Sequence, residues 1–192
     1  MIIDLSLPIG EDTPRYPGDP EISIRLWAVM DRDGYYMNVL KMGEHSGTHV
    51  DAPAHFLPEG KTVDEMPLES FMGEGIVVDL RGREGEVLLE ELPEVDVGGR
   101  IVLLLTGGRG LSPEVAQFLV DEGVRAVGTD GMSIGDEIVH RIFLGNEVPI
   151  FENLVNLDLL IGLEFTFIGF PLKIEGGSGS PVRAVAIVHG EE

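Results

Sequence analysis

Two short apolar runs rich in branched side chains constrain the fold of this chain more than any other feature. They are Ile76–Leu80 and Ile101–Leu105, and each has the length of a single strand. Runs of this kind are typical of strands that are buried on both faces of a sheet. Further apolar segments predict strands at 2–7, 22–28, 36–42, 124–128, 165–174 and 182–188.

Helices are predicted to be fewer than strands. The segment Ser112–Glu114 starts a helix favourably, with a serine cap followed by proline, and Gly123 ends that helix. A second helix is predicted over 135–144. No long linker interrupts the chain, so a single domain over residues 1–192 is expected. The predicted fold class is α/β, with a mixed sheet core and a few packed helices.

The composition disfavours several classes of protein. No apolar run is long enough to span a bilayer, and the first residues lack the positive start of a secretion signal, so a cytoplasmic location is expected. A net charge of -21 repels nucleic-acid backbones and anionic membranes. A source that lives at high salt would explain this acidity, and an ordinary soluble surface is the alternative. The chain has no cysteine, so any metal would be bound by nitrogen and oxygen.

Three of the five histidines fall within eleven residues, at His45, His49 and His55, in the pattern H-x3-H-x-D-x3-H that includes Asp51. On an extended chain His45, His49 and Asp51 point to the same face. A straight strand would hold the first two histidines about 13 Å apart, so a bend is needed, and Gly47 can supply it. Imidazole and carboxylate suit zinc, manganese or iron. The pattern therefore predicts a metal site.

A second segment offers further candidate ligands. His140 lies late in the predicted helix, and Glu152 follows the apolar run Val148–Phe151. A carboxylate that leaves such a run is either paired or bound to a metal, because burying it alone is costly. From the residues alone, a helix-end histidine stabilised by the helix dipole and an ion-paired glutamate remain open alternatives.

Three other features support narrower expectations. Gly176–Ser180 does not match the nucleophile-elbow pattern, because Ser180 stands where that pattern needs glycine. The segment is expected to form a flexible loop, and this loop could lie over the site. Arg109 follows a predicted strand and is expected on the surface, with a contact to a substrate carboxylate as the alternative. Trp27 is expected to be buried in the core or in an interface.

These motifs resemble the cyclase-like family of metal-dependent hydrolases, which includes the bacterial kynurenine formamidases. The resemblance covers nearly the whole chain and rests on four segments, which are Asp12–Asp19, His45–Phe56, Val148–Leu154 and Gly179–Arg183. It implies a swivelling β/β/α fold and assembly as a homodimer or homotetramer. Formamidases of the family tend to carry a tryptophan where this chain has Tyr16. The ring of Tyr16 could still stack on an aryl substrate.

The resemblance also implies roles for the candidate residues. His45, His49 and Asp51 would bind one metal ion, and Asp51 and Glu152 would bridge to a second ion. His140 would complete the ligand set of the second ion, and His55 would serve as general acid and base. The expected cofactor is Zn²⁺, with Mn²⁺ as the alternative and two ions per chain.

The function implied by these roles is hydrolysis of a small-molecule amide. Metal-activated water would attack an aryl formamide such as N-formylkynurenine, and His55 would protonate the leaving nitrogen. The enzymatic alternative is opening of a cyclic, isatin-type amide or another cyclase-family reaction at the same metal site. A non-catalytic metal-binding scaffold is the alternative from another class, and a general acid–base histidine outside the ligand set argues against it.

Overall fold

A nine-stranded mixed sheet forms the centre of the structure, a computed structural model that describes residues 1–190. In chain order the strands are β1 (Ile2–Asp4), β2 (Ser23–Ala28), β3 (Met37–Lys41), β4 (His49–Asp51), β5 (Met72–Asp79), β6 (Ile101–Leu105), β7 (Ala126–Thr129), β8 (Ile150–Glu152), β9 (Phe165–Ile168), β10 (Gly179–Pro181) and β11 (Val185–Val188). The large sheet has the order β1-β11-β9-β5-β6-β7-β8-β4-β10, and β2 pairs with β3 in a separate hairpin.

The four central strands of the large sheet, β5 to β8, run parallel, and antiparallel strands flank them on both sides. The side chains of β6 show why this part of the sheet lies deepest. Ile101 and Leu103 face one hydrophobic core and Val102 and Leu104 face the other, and all four are fully buried. A strand that is apolar on both faces requires cover on both faces.

Helices cover one face of the sheet. The α-helices within residues 1–190 are α1 (Met30–Asp33), α2 (Pro113–Asp121) and α3 (Glu137–Gly145), with short 3₁₀ helices at Pro53–His55, Leu68–Phe71, Leu89–Glu91 and Leu157–Leu160. The hydroxyl of Ser112 makes no capping hydrogen bond to α2, contrary to expectation. The other long helix, α3, does have a side-chain cap, because the carboxylate of Asp136 accepts hydrogen bonds from the backbone N–H groups of Ile138 and Val139. None of these helices has the length and hydropathy needed to cross a bilayer.

The curl of the sheet itself covers the other face. The chain after β1 reaches the segment after β8, where Ser6 forms a bridge with Leu154 and Val155 donates its backbone N–H to the carbonyl of Leu5. The enclosed core contains four phenylalanines, Phe71, Phe151, Phe165 and Phe167. The predicted α/β class, a mixed sheet core with a few packed helices, is confirmed.

The glycine-rich segment Gly176–Ser180 is held in place by its backbone, so the expectation of a flexible loop is wrong. Val63 and Ala52 donate their backbone N–H groups to the carbonyls of Gly177 and Ser178, at 2.8 and 2.9 Å. Gly179 then pairs with Asp51 between β4 and β10. The segment therefore forms a wall beside the histidine motif.

Arg109 is a largely buried structural residue, and the expectation of a surface position is wrong. The side chains of Arg109 and Glu91 are 9% and 7% exposed. The guanidinium donates to both carboxylate oxygens of Glu91, at 2.8 and 3.0 Å, and to the carbonyls of Leu80, Gly85 and Glu86, each at 2.8 Å. The hydrogen bond from Arg109 is the largest cause that lowers the pKa of Glu91 to about 2.

Replacing Arg109 with alanine is expected to lower the melting temperature at pH 7. The change leaves the Glu91 carboxylate with only the more distant guanidinium of Arg83, 3.7 Å away, and removes the donor of three carbonyls. Because folding lowers the pKa of Glu91 from 4.5 to about 2, the stabilisation is present above pH 4.5 and is lost as the pH falls towards 2. The difference in melting temperature between wild type and variant should therefore shrink over that range.

Arg183→Ala is the matched control for this experiment. Arg183 also forms a bidentate pair, with Asp4, but the two side chains are 75% and 45% exposed. Exposed ion pairs contribute little to stability, so Arg183→Ala should change the melting temperature much less. Equal effects of the two substitutions would contradict the structural role of Arg109.

Candidate metal centre

The two predicted ligand segments meet at one end of the large sheet. Strand β4 carries His49 and Asp51, and its antiparallel partner β8 places Glu152 directly opposite His49. His140 lies in α3, which packs against β8. Residues that are about a hundred positions apart in the sequence therefore face each other because two strands pair.

A turn at Gly47 brings His45 to the same place. The φ angle of Gly47 is 65°, in the left-handed region where glycine is favoured. As a result, the ring centroids of His45 and His49 are 5.2 Å apart, in place of the roughly 13 Å expected along a straight strand. The bend predicted from the spacing is present at the predicted residue.

Five side chains converge at this point. The Asp51 Oδ1 atom lies 2.7 Å from Nδ1 of His45 and 3.3 Å from Nε2 of His49. His49 Nε2 is also 3.4 Å from Glu152 Oε2. His140 Nε2 is 3.2 Å from Glu152 Oε1 and 3.7 Å from Asp51 Oδ2. Two groups that share Asp51, namely His45–His49–Asp51 and Asp51–His140–Glu152, each hold their candidate ligand atoms within 4.8 Å of one another.

Backbone carbonyls orient two of the three imidazoles. Nδ1–H of His49 donates to the carbonyl of Gly47 at 2.8 Å, and Nδ1–H of His140 donates to the carbonyl of Asp136 at 2.8 Å. With Nδ1 engaged in this way, Nε2 of each ring faces the carboxylates, and it would carry the lone pair in the neutral ring that binds a metal. This is how histidines that bind metals are commonly held.

Asp51 provides the test of whether a metal fits. Its Oδ2 atom is fully buried and has no hydrogen-bond partner among the described residues, 1–190. A buried carboxylate oxygen without a donor is costly, and a divalent cation beside it would remove that cost. Because imidazole and carboxylate donors suit zinc and manganese, the residues present fit a divalent metal.

The electrostatics of the site also favour a cation. Burial alone would lower the pKa of His49, but Asp51 and Glu152 raise it to about 10. Burial would raise the pKa of Asp51, but hydrogen bonds with His45 and His49 hold it far below its usual range. The negative field that raises the pKa of His49 also attracts a metal ion, which would displace protons as it binds.

His55 lies beside the candidate ligands and belongs to neither group. Its ring stacks on that of His45, with centroids 3.8 Å apart, and lies 4.5 Å from the ring of Phe56. Desolvation is the largest cause that lowers the pKa of His55; the charge of Asp51 opposes it, and the imidazoles of His45 and His140 reinforce it. His55 is therefore placed as a neutral imidazole that can accept a proton.

A cavity of about 340 Å³ opens onto the metal centre. Tyr16, the predicted substrate contact, lines this cavity and is 58% exposed, so its ring stands at the open side. Asp51 lies beneath the cavity and is 1% exposed. The other predicted site residues that line it are His45, His49, His55, His140 and Glu152.

Two residues that support the centre were not identified from the sequence. Asn153 is buried and has a φ of 55°, and its Nδ2 donates to the carbonyl of Gly47 at 3.0 Å, the same carbonyl that holds His49. The hydroxyl of Thr48 donates to the carbonyl of Asn153 at 2.7 Å. A second polar residue after the apolar run Val148–Phe151, following Glu152, is the signal that could have indicated Asn153.

Comparison with known sequences gives a consistent set of relatives. Residues 3–136 match the family model described as "Putative cyclase". A kynurenine formamidase from Salinibacter ruber is 32% identical over 204 aligned residues, which cover 96% of each chain. A kynurenine formamidase from Bacillus thuringiensis is 30% identical over 95% of each chain.

Solved structures give a similar result. Isatin hydrolase A from Labrenzia aggregata superposes with a TM-score of 0.86 at 25% identity, covering 97% of this chain and 93% of that chain. A protein from Bacillus stearothermophilus, described as a predicted metal-dependent hydrolase, superposes with a TM-score of 0.83 at 25% identity over 97% of each chain.

Proposed function

We propose that this chain, which belongs to the cyclase family, hydrolyses an aryl formamide such as N-formylkynurenine in a metal-dependent reaction. Its relatives make it a hydrolase that acts on carbon–nitrogen bonds other than peptide bonds. Metal dependence rests on the convergence of five candidate ligands, one of which, Asp51, has a buried oxygen without a hydrogen-bond partner among residues 1–190. The formamidase relatives support a formamide as substrate.

The proposed cofactor is two divalent ions per chain, either Zn²⁺ or Mn²⁺. His45, His49 and Asp51 would hold one ion, and Asp51, Glu152 and His140 the other, so that Asp51 bridges the two. When bound, such ions supply Lewis acidity that polarises a carbonyl and makes water nucleophilic near neutral pH. The two carboxylates would reduce the repulsion between the cations.

His55 is proposed to move the protons. Its ring faces the cavity and belongs to neither ligand group, so its lone pair remains available. It would accept a proton from the attacking water and donate a proton to the leaving amine nitrogen, which is the work of a general acid–base residue. Stacking on His45 holds the ring in one orientation for both steps.

The cavity suits a small aromatic amide. Its volume of about 340 Å³ lies within the roughly 300–1,000 Å³ of typical small-molecule sites. Tyr16 and Phe56 both line it and offer rings against which an aryl group can pack. The formyl group would then lie towards the histidines, and the aryl ring towards the open side.

Hydrolysis of an isatin-type cyclic amide is the second candidate function. The structural likeness to isatin hydrolase A favours it, and the same ligands and the same proton-transfer histidine would serve that reaction. Parallel assays with N-formylkynurenine and isatin, on protein purified without chelator, distinguish the two substrates. Turnover of isatin alone would favour the cyclic amide.

The same assays test whether the protein is an enzyme. Activity should disappear on chelation and return when zinc is added back, with elemental analysis reporting the metal content. A metal-loaded protein that hydrolyses no amide or ester in a broad panel would instead favour the non-catalytic scaffold. A cytoplasmic location and the absence of nucleic-acid and membrane partners remain predictions from the composition.

We also propose that the chain forms a homodimer through an arm, defined as Ser23–Lys41. The arm consists of β2, α1 and β3, and in the part of the chain that the structure describes its hairpin pairs with no strand of the large sheet. An isolated two-stranded hairpin is marginally stable in water. Trp27, expected to be buried in the core or in an interface, is 61% exposed there in the single chain. The other exposed large apolar residues of the arm are Leu26, Met30, Tyr35, Tyr36, Met37, Val39 and Leu40.

A second copy of this chain is the occupant that fits the arm. These half-exposed side chains offer surface on the order of 700 Å², close to the roughly 800 Å² per partner of a standard interface. The arm carries three basic residues, Arg25, Arg32 and Lys41, against two acidic ones, whereas the whole chain has a net charge of -21. A slightly positive apolar arm is therefore complementary to the acidic body of another copy.

Replacing Trp27 with serine is expected to weaken this dimer. Losing an interface tryptophan typically costs about 2 kcal/mol or more, roughly 30-fold in Kd. Sedimentation equilibrium would measure the change. Leu172→Ser is the matched control, because Leu172 is 63% exposed and lies outside the arm. A monomeric wild type, or equal effects of the two substitutions, would contradict the proposal. If the wild type is a tetramer, dissociation of the tetramer by Trp27→Ser supports the arm as one of its interfaces, and an intact tetramer contradicts it.

A further inference from the structure

We infer that Ser178 and Glu44 are positioning residues that determine which nitrogen of His45 faces the metal. The inference rests on the proposed metal-dependent function. It assigns a role to the glycine-rich segment Gly176–Ser180, which contains no ligand and no acid–base group of the proposed mechanism. It also explains how His45 is oriented, since no backbone carbonyl holds its ring in the way that carbonyls hold His49 and His140.

A chain of hydrogen bonds joins Glu44 to the metal centre. The backbone N–H and the hydroxyl of Ser178 both lie 2.9 Å from Oε2 of Glu44. The same hydroxyl oxygen lies 2.9 Å from Nε2 of His45. On the other side of the ring, Nδ1 of His45 lies 2.7 Å from Oδ1 of Asp51.

Counting protons gives this chain a direction. The backbone N–H of Ser178 donates to Oε2 of Glu44, so this oxygen acts as an acceptor, and the single hydroxyl proton of Ser178 is donated to the same oxygen. The Ser178 oxygen is then left as an acceptor, and Nε2 of His45 must carry a proton to bond with it. In the metal-free protein Nδ1–H of His45 also donates to Oδ1 of Asp51, 2.7 Å away, and a cation that binds beside Asp51 would displace this proton. The metal-bound His45 ring would then keep its proton on Nε2 and present the lone pair of Nδ1.

In the metal-bound site His45 would thus adopt the opposite tautomer from the other two candidate ligands. His49 and His140 would carry their proton on Nδ1 and present Nε2, whereas His45 would carry it on Nε2 and present Nδ1. A carboxylate that acts on a metal-bound histidine through one intermediate group orients the ring and raises its basicity. Here the hydroxyl of Ser178 is that intermediate group.

Gly179 allows the segment to approach closely enough. A Cβ atom at position 179 would lie 2.5 Å from Cε1 of His45 and 2.6 Å from the carbonyl oxygen of Val50. Any larger residue would push either the ring or strand β4. The glycine therefore lets the hydroxyl of Ser178 reach Nε2 while the ring of His45 remains stacked on His55.

The first measurement of the test is the affinity for Zn²⁺. Ser178→Ala removes the acceptor of the Nε2 proton and is expected to weaken zinc binding about 10–100-fold, the usual effect of losing such a partner. Competition with a chromophoric chelator measures the dissociation constant. Ser180→Ala is the matched control, because Ser180 lies two residues along the same segment and its hydroxyl contacts Leu172 and Pro181 and not His45.

The second measurement is the position of the proton on His45. In ¹⁵N-labelled, zinc-loaded protein, His45 is expected to show a slowly exchanging proton on Nε2. Ser178→Ala should make that proton exchange faster while the proton on Nδ1 of His49 is unaffected. A role confined to folding would change the melting temperature and would leave this resonance in place.

Each outcome bears on a different statement. Wild type that binds no zinc contradicts the proposed function itself. Wild type that binds zinc, with unchanged affinity in Ser178→Ala or with the His45 proton on Nδ1, contradicts only the positioning role. If Ser178→Ala does not fold, Glu44→Gln replaces it, because Glu44 is partly exposed at the edge of the site; unchanged zinc affinity and unchanged proton exchange in that variant would overturn the inference.

Discussion

Replacing His55 with alanine is expected to lower kcat about 10²–10⁴-fold while the protein keeps its metal, because general acid–base residues contribute factors of this size. His55 lines the cavity and stacks on His45, yet it belongs to neither group of candidate ligands. Its removal should therefore abolish proton transfer and leave both ligand sets complete. Steady-state kinetics with the formamide substrate and elemental analysis of the same preparation measure the two effects.

His189→Ala is the matched control for His55→Ala. His189 is exposed, and within residues 1–190 its ring bonds only to the hydroxyl of Thr166, so its removal should leave kcat unchanged. Full activity of the His55 variant would refute the acid–base role. Loss of metal from that variant would show that His55 is a ligand.

Replacing Asp51 with asparagine is expected to remove metal binding and activity together. Asp51 is the residue that the two ligand groups share, and the amide retains its size while losing its charge. For the wild type, zinc at a hundredfold excess over its Kd should stabilise the fold by about 2.7 kcal/mol. For a chain of this length each kcal/mol corresponds to a rise of about 2–4 °C in melting temperature. The asparagine variant should show no such rise.

Asp121→Asn controls for the loss of one carboxylate. Asp121 lies exposed on α2 and accepts a hydrogen bond from Gln117. Its asparagine variant should respond to zinc as the wild type does. An undiminished zinc response of Asp51→Asn, or an unchanged metal content, would exclude the bridging role of Asp51.

Local pattern was sufficient for much of the fold. The apolar run Ile101–Leu105 coincides with β6, and the helix that begins at Pro113 ends at Asp121, close to the predicted stop. Both features depend on residues adjacent in the sequence, where periodicity and glycine or proline decide the structure. The bend at Gly47 could be predicted for the same reason, because two histidines four residues apart cannot otherwise approach each other.

Features that depend on distant residues could not be predicted in this way. Nothing near Arg109 in the sequence indicates that Glu91 and three carbonyls will surround it. The glycine-rich segment suggested a flexible loop until its pairing with β4 was known. Trp27 was expected in the core or in an interface. Its exposure on the arm of the single chain excludes the core and follows from the separation of β2 from the large sheet, and burial in an interface stays a prediction.

The sequence by itself determined the chemical types available at the centre: three histidines and one aspartate at close spacing, with His140 and Glu152 as further candidates and no cysteine. Only the tertiary structure decided that these two segments meet, because His49 faces Glu152 through the pairing of β4 with β8. It also decided which nitrogen each imidazole presents, since that depends on hydrogen-bond partners contributed by other parts of the fold. Residue types and spacings are local properties of the chain, whereas the order of strands in a sheet is a property of the whole core.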